Sequence, residues 1–382
     1  MKRQPVSIRK KVLRVDWMRG LVMIVLATTV LILANVPGEA RDAKSAIKDP
    51  QVRKLYDELA DKGWIVFSAK SEKGDYDLFV SRPNGSGLRN ITRTREFNEL
   101  GARFLPDGKR ILYRRVNALN PKVDYREHIA GVLVIANADG SNPRTLGGEG
   151  DYPWATLSPD CKQMACLYRK EGKIRIFDFA TLKMIKEMPR QGIFEQLGWS
   201  PDGKEFCGTA NLLGQEWNIV TYGIESGKLT LISRLLDCTP DWFPDSRGCI
   251  YSHRNPSLAS DDGGAAAQKI GQSGTNYSWT MLMMADREGK DRKLVVAEQY
   301  KHLYFAALSP DSKYVIYSRL DKDGNLAGPM AIVRLADTPI VGASWLAVEQ
   351  QYAKNARRGP ILHLELPPAF HPSWTYAKLG GK

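Results

Sequence analysis

One phrase, written five times, governs what this chain can fold into. It reads Phe104-Leu-Pro-Asp-Gly-Lys-Arg-Ile-Leu-Tyr113, Leu157-Ser-Pro-Asp-Cys-Lys-Gln-Met-Ala-Cys166, Trp199-Ser-Pro-Asp-Gly-Lys-Glu-Phe-Cys207, Trp242-Phe-Pro-Asp-Ser-Arg-Gly-Cys-Ile-Tyr251 and Leu308-Ser-Pro-Asp-Ser-Lys-Tyr-Val-Ile-Tyr317. Each copy is a β-hairpin: an apolar strand ends at Pro, Asp with Gly or Ser supplies turn chemistry, and a strand rich in Ile, Val, Leu and Tyr begins. The prolines Pro106, Pro159, Pro201, Pro244 and Pro310 lie 53, 42, 43 and 66 residues apart. The two shorter intervals match the roughly 40 to 50 residues of a four-stranded propeller blade, and the longer ones imply inserted loops.

A second element alternates with the first. Asp75 to Thr92 and Val132 to Leu146 each read as strand, Asn-Gly or Asp-Gly turn, strand, which brings the unit to four strands. A sixth unit is divided between the chain ends. Ala60 to Phe67 has the second half of the hairpin pattern without its first strand, and Phe370-His-Pro-Ser-Trp374 supplies that strand, with Pro372 and Trp374 spaced like Pro240 and Trp242. The expected fold is all-β, a six-bladed β-propeller whose ring is closed by pairing the C-terminal strand with the N-terminal blade, which removes exposed sheet edges.

The phrases Trp199-Ser-Pro-Asp-Gly-Lys and Ala136-Asn-Ala-Asp-Gly-Ser-Asn-Pro-Arg-Thr-Leu146 resemble the blade signature of the TolB-like propellers, over about residues 60 to 377. The resemblance implies the fold and is specific for it through repetition. It implies little about function, because a fold hosts many functions. Only about 20 residues separate Ala40 from Gly63, too few for the separate α/β domain that precedes the propeller in TolB-like proteins.

Residues 1–40 read as a secretory signal or an N-terminal membrane anchor. Seven Lys/Arg lead up to Arg19, the apolar run Leu21 to Ala34 follows, and small residues flank Glu39. A run of 14 residues is short of the about 20 that span the hydrocarbon core, which favours a signal over an anchor. Either way the body is expected outside the cytoplasm, periplasmic or extracytoplasmic, with membrane contact only through this segment. Residues 41–62 read as a short helical lead-in, 63–377 as the propeller and 378–382 as a tail. Insertions fall near 255–276, rich in Ser, Gly and Ala, and near 345–358, where Trp345, Leu346, Val348 and Tyr352 suggest an amphipathic helix.

The formal net charge is +13, of which the first 40 residues supply a local excess of five. No Lys/Arg cluster interleaved with aromatics follows, so a solvated basic surface is expected, with acidic polysaccharide as a further partner and no nucleic acid. The five cysteines form no Cys-x-x-Cys pair, and core filling is the expected role of the four that fall in or beside predicted strands. Phosphate loops and dinucleotide fingerprints are absent, and Gly271-Gln-Ser-Gly274 lacks the spacing of a nucleophile elbow. The recurring Trp199, Trp242, Trp374, Tyr113, Tyr251 and Tyr317 read as core between blades.

What remains is a non-catalytic binding scaffold with no cofactor, taking a protein partner of the cell envelope. Innermost strands converge on an axial channel, so residues shortly before each Pro-Asp turn are the candidates: Arg103, Trp154, Gln196, Asp241, Phe305 and His371. The alternative is a polysaccharide lyase-like enzyme acting on acidic glycans, with a divalent cation held by His253, His302 and His371.

Overall fold

Turn chemistry breaks the chain into hairpins. In the computed structural model, which describes residues 43–118, 131–212, 215–234, 236–254, 280–298, 301–321, 324–326, 328–338, 340–341 and 359–379, the serine of each Ser-Pro-Asp turn donates to its aspartate. Ser158, Ser200 and Ser309 lie 2.6, 2.7 and 2.7 Å from Asp160, Asp202 and Asp311. Those carboxylates also accept the N–H groups of Lys162, Lys204 and Lys313, and Asp107 and Asp245 do the same for Lys109 and Arg247. The hydrogen bonds from Ser158 and Lys162 hold the Asp160 carboxyl below the usual range. The next residue turns left-handed in every copy, with φ of 65° at Gly108, 57° at Cys161, 76° at Gly203, 60° at Ser246 and 55° at Ser312. The repeated aspartates are therefore turn formers rather than site residues.

Six sheets follow. Blade 1 holds β1 (Trp64–Lys70), β2 (Tyr76–Ser81) and β3 (Arg89–Asn90), with β25 (Ala369–Thr375) as its innermost strand. Blade 2 is β4 (Phe97–Phe104), β5 (Arg110–Asn117), β6 (Val132–Asn137) and β7 (Arg144–Leu146). Blade 3 is β8 (Thr156–Leu157), β9 (Gln163–Tyr168), β10 (Lys173–Asp178) and β11 (Met184–Pro189). Blade 4 is β12 (Ile193–Trp199), β13 (Glu205–Leu212), β14 (Gln215–Gly223) and β15 (Leu229–Ser233). Blade 5 is β16 (Cys238–Trp242), β17 (Gly248–Arg254), β18 (Thr280–Asp286) and β19 (Lys293–Glu298). Blade 6 is β20 (His302–Leu308), β21 (Tyr314–Leu320), β22 (Ala331–Arg334) and β24 (Leu362–His363).

Ring closure is as the divided sixth unit implies. β25 pairs antiparallel with β1, setting Ile65 opposite Trp374 and Trp64 opposite Thr375. The Trp374 indole N–H donates to the Lys62 carbonyl at 2.7 Å, a bond between residues 312 positions apart. Helix α2 (Pro50–Leu59) covers this seam. Asp49 caps it by accepting the Gln51 N–H at 2.7 Å, Pro50 starts it where no N–H is needed, and Leu55 and Leu59 are fully buried against Phe67, Ile332 and Leu362. Glu58 anchors it to blade 6 through Arg334 at 2.9 Å. The short helix α1 (Ala43–Ala46) belongs to a separate unit that ends at Ala46.

One pairing was not foreseen. Beyond β22 the chain leaves blade 6 and lays β23 (Ile340–Val341) parallel to β19 on the outer edge of blade 5 before returning to β24. The signal segment 1–40 and both predicted insertions fall at residues outside those described, whereas the lead-in is described from residue 43. Among the described residues no helix is long and apolar enough to cross a membrane.

Between blades the core is built from facing sheet surfaces. Val66, Leu78 and Val80 of blade 1 meet Ile111, Tyr113 and Val134 of blade 2, and Leu282, Val296 and Phe243 of blade 5 meet Val315, Tyr317 and Ala331 of blade 6. Tyr113, Tyr251 and Tyr317 are 1%, 1% and 0% exposed, so the recurring tyrosines are core. Cys166, Cys207, Cys238 and Cys249 are buried and Cys161 partly so, all as free thiols. Cys207 and Cys249 pack with Trp242, the small-apolar role expected of them.

Candidate functional site

The inner strands are not regular. In five of them two residues oppose one on the second strand: Gly101 and Ala102 lie between the pairs at Leu100 and Arg103, Gln196 and Leu197 between Glu195 and Gly198, Thr239 and Pro240 between Cys238 and Asp241, Phe305 and Ala306 between Tyr304 and Ala307, and His371 and Pro372 between Phe370 and Ser373. The first residue of each bulge is left-handed, with φ of 64° at Gly101, 49° at Gln196, 51° at Thr239, 51° at Phe305 and 52° at His371. Trp154, just before β8 in blade 3, has φ of 52° and completes the set. A bulge of this kind bends the strand and re-aims its side chains.

Trp154 and the bulges of blades 1, 4, 5 and 6 border one cavity of about 310 Å³ on the axis, reaching Pro201 and Pro244 on the side of the ring where the Pro-Asp turns lie. All six predicted residues line it: Arg103, Trp154, Gln196, Asp241, Phe305 and His371. They occupy two different positions. Trp154, Gln196 and Phe305 stand five residues before the turn proline and His371 is their equivalent, whereas Arg103 and Asp241 stand three before it. Counting from the proline would also have found Thr239, which lines the cavity, and Gly101 at the five-back position.

Blades 2 and 5 face each other across the ring, and their three-back residues meet over the axis. Arg103 Nη1 lies 4.0 Å from Asp241 Oδ1, too far for a hydrogen bond, with 48% and 33% of the two side chains open. That openness is to the cavity, since Asp241 lies deep in the ring. Burial raises its carboxyl above the ordinary range, and Arg103 opposes the rise. The equivalent residues elsewhere stitch neighbouring blades: Ser373 Oγ accepts the Phe104 N–H at 3.1 Å, and Thr156 Oγ1 accepts the Trp199 N–H at 3.3 Å.

The other lining groups are neutral. Burial, and then the Arg103 charge, push His371 down to about 3, so its imidazole is uncharged at ordinary pH. His371 packs edge-on against Phe305 with ring centres 4.2 Å apart. Gln196 Oε1 accepts the Thr209 hydroxyl at 2.7 Å, which orients its amide. The rim tryptophans are committed to the fold: Trp199, Trp242 and Trp374 donate their indole N–H groups to the carbonyls of Gly203, Gly198 and Lys62.

The three histidines of the metal alternative stand at different places in the blades. Of its three histidines only His371 lines the cavity. His253, within β17 rather than after it, holds Asp237 Oδ1 at 2.7 Å in a buried pair. His302, the first residue of β20, accepts the Thr280 N–H at Nδ1 at 3.2 Å, and burial with the nearby Arg254 charge lowers it to about 4. Among the described residues no group of three or more His, Cys, Asp or Glu could hold a metal ion.

A further charged residue of the inner strands lies off the cavity. Glu99 of β4 is fully buried at the seam of blades 1 and 2. Its Oε1 accepts the Thr94 hydroxyl at 2.6 Å and faces Arg115 at 3.4 Å, while Oε2 has no hydrogen-bond partner among the described residues. Burial, together with the neighbouring Asp77 carboxyl, raises it to about 7 against the pull of Thr94 and Arg115.

No protein-family model matches the sequence, and no curated protein matches it. Solved structures do. TolB from Acinetobacter baumannii superposes with a TM-score of 0.53 at 15% identity, over 82% of this chain and 67% of that one. A chain from the nidogen/laminin complex superposes at 0.51 with 10% identity, over 81% of this chain and 98% of that one. Identities this low carry the architecture and nothing finer. With its four-stranded blades and its ring closed by the C-terminal strand, the chain is a six-bladed β-propeller of TolB-like fold.

Proposed function

We propose that this chain is an exported, non-catalytic binding scaffold of the bacterial cell envelope, which takes its ligand or partner segment in the axial cavity. The observation that carries the reading is the set of left-handed residues at the inner strands. Five of the six left-handed residues around the cavity are non-glycine, three of them aromatic or imidazole and one β-branched. Each such backbone costs on the order of 1 kcal/mol or more and persists only where surrounding structure enforces it, a pattern concentrated at ligand clamps. The export signal read in residues 1–40 supports a place outside the cytoplasm, periplasmic and attached to the membrane through that segment alone if it stays uncleaved. A rigid ring with a lined axial cavity suits recognition of an envelope protein, with acidic polysaccharide as a second class of partner.

The test is affinity capture from solubilised envelope, with the wild-type chain beside the Asp241→Ala/His371→Ala double variant. A stoichiometric protein partner retained by the wild type and lost by the variant is the expected result. Recovery of the bare protein under several mild conditions defeats the scaffold reading. Capture that survives the double substitution but disappears when residues 255–276 are deleted moves the site from the cavity to the inserted loop.

A further inference from the structure

Arg103 and Asp241 are the only charged side chains lining the cavity among the described residues. They come from opposite blades, so each approaches from its own wall. At 4.0 Å they are close enough to balance one another and too far apart to saturate one another's hydrogen bonding. Arg103 retains donors in a fork that suits a carboxylate. Asp241 accepts one backbone N–H, from Trp242 at 3.1 Å, and retains acceptor capacity. Ser373 and Thr156 show that the same strand position serves ring assembly with a short hydroxyl, and neither charge takes part in that stitching. The cavity volume equals about ten water molecules at liquid density. That is room for a molecule of the size of an amino acid or a dipeptide.

We propose that the axial cavity binds a small zwitterion, a free amino acid or dipeptide, with its carboxylate on Arg103 and its ammonium group on Asp241. This inference rests on the reading of the cavity as a ligand site. A purely anionic ligand would satisfy Arg103 and be repelled by Asp241, and a purely cationic one would meet the reverse. A ligand carrying both charges replaces the long Arg103–Asp241 contact with two hydrogen-bonded ion pairs. Trp154 and Phe305, on opposite blades, supply apolar surface for its remaining atoms, and Gln196 and the neutral His371 supply uncharged polar contacts.

The test is calorimetric titration of the full wild-type chain with glycine, leucine, phenylalanine and a dipeptide such as alanyl-leucine. Each is paired with its N-acetylated and its C-amidated form. At least one zwitterion is expected to bind, and either blocking step should weaken it tenfold or more. Arg103→Gln should abolish the penalty for amidation and leave that for acetylation, and Asp241→Asn should do the reverse. The blocked ligands read the same question on the unaltered protein, so a misfolded variant cannot decide the outcome. Absence of binding by every zwitterion, or equal binding by the blocked forms, overturns the inference. If a partner is captured through Asp241 and His371 while no zwitterion binds, this inference falls and the scaffold reading stands. If neither occurs, the cavity is not the site.

Discussion

Replacing Glu99 by Gln should change how the stability of the ring responds to pH. In the fold the Glu99 carboxyl sits at about 7, against an ordinary value of 4.5, chiefly because burial penalises its charge. A folded value above the unfolded one means that the stabilisation is fully present below 4.5, fades as pH rises between 4.5 and 7, and is gone above 7. At about 1.4 kcal/mol per pH unit, that gap is worth about 3 kcal/mol. Gln carries no charge, so the variant should match the wild type near pH 4.5 and exceed it by about 3 kcal/mol at pH 8. His302 and His371 act in the opposite sense across an overlapping range. Their folded values, about 4 and about 3, lie below the ordinary 6.5, so their contribution is present above 6.5 and is lost as pH falls. The informative quantity is therefore the difference between variant and wild type, in which both histidines cancel. Urea unfolding followed by tryptophan fluorescence from pH 4.5 to 8 measures it. Parallel curves for the two proteins would mean that Glu99 ionises in the fold at its ordinary value, and the burial argument would be refuted.

Trp374→Ala removes the side chain that joins β25 to β1 and bonds to Lys62, so a loss of about 3 to 5 kcal/mol is expected in denaturant unfolding, and a smaller loss than Leu212→Ala at a partly open site would contradict its role in closure. Asp241→Asn should leave thermal stability unchanged or raise it, because a buried carboxyl with a raised folded value costs stability once ionised, and a clear drop in melting temperature at pH 8 would oppose this. Ser309→Ala strips the Asp311 turn of a hydroxyl that also accepts the N–H groups of Lys313 and Tyr314, and a cost of about 1 to 3 kcal/mol should appear as a lowered urea midpoint.

The parts of the fold written in local chemistry were legible before any coordinates. A Pro-Asp turn needs only four neighbouring residues, so five copies announced five hairpins, and the half-units at Gly63–Phe67 and Phe370–Trp374 announced the closure between β25 and β1. The candidate residues reached one cavity because each was chosen near a turn proline. The bulges were not legible, since the left-handed position is filled by Gly, Trp, Gln, Thr, Phe and His in turn, and no residue preference marks it. Thr239 was missed for that reason, although it stands in register with Trp154. The pairing of β23 with β19 was hidden because two residues make too short a run to read as a strand. Where the three histidines lie relative to the cavity was not legible either, because position along a strand does not say which part of the ring a side chain borders. His302 lies at the start of β20 and His371 at the bulge of β25, and only the latter borders the cavity.

The position three residues before the turn proline stitches blades in some copies and lines the cavity with a charge in others. Ser373 and Thr156 use it to accept an N–H from the next blade, a bond worth about 1 kcal/mol. At Gly198 the position is empty of necessity, because a Cβ there would lie 2.9 Å from the Cys207 sulfur and 3.6 Å from Trp242, whose indole bonds to the Gly198 carbonyl. Ala307 in blade 6 carries no hydrogen-bonding group. Only blades 2 and 5 bear charges, and they are the two that face each other across the axis. A charge at this position forgoes a stitching bond and, at Asp241, adds a burial cost that Arg103 only partly offsets. Two adjacent blades could not bring these groups together over the axis, whereas opposite blades do so with neither side chain fully enclosed. The pair therefore adds nothing to the stitching of the blades, and the zwitterion proposed above would give it a role.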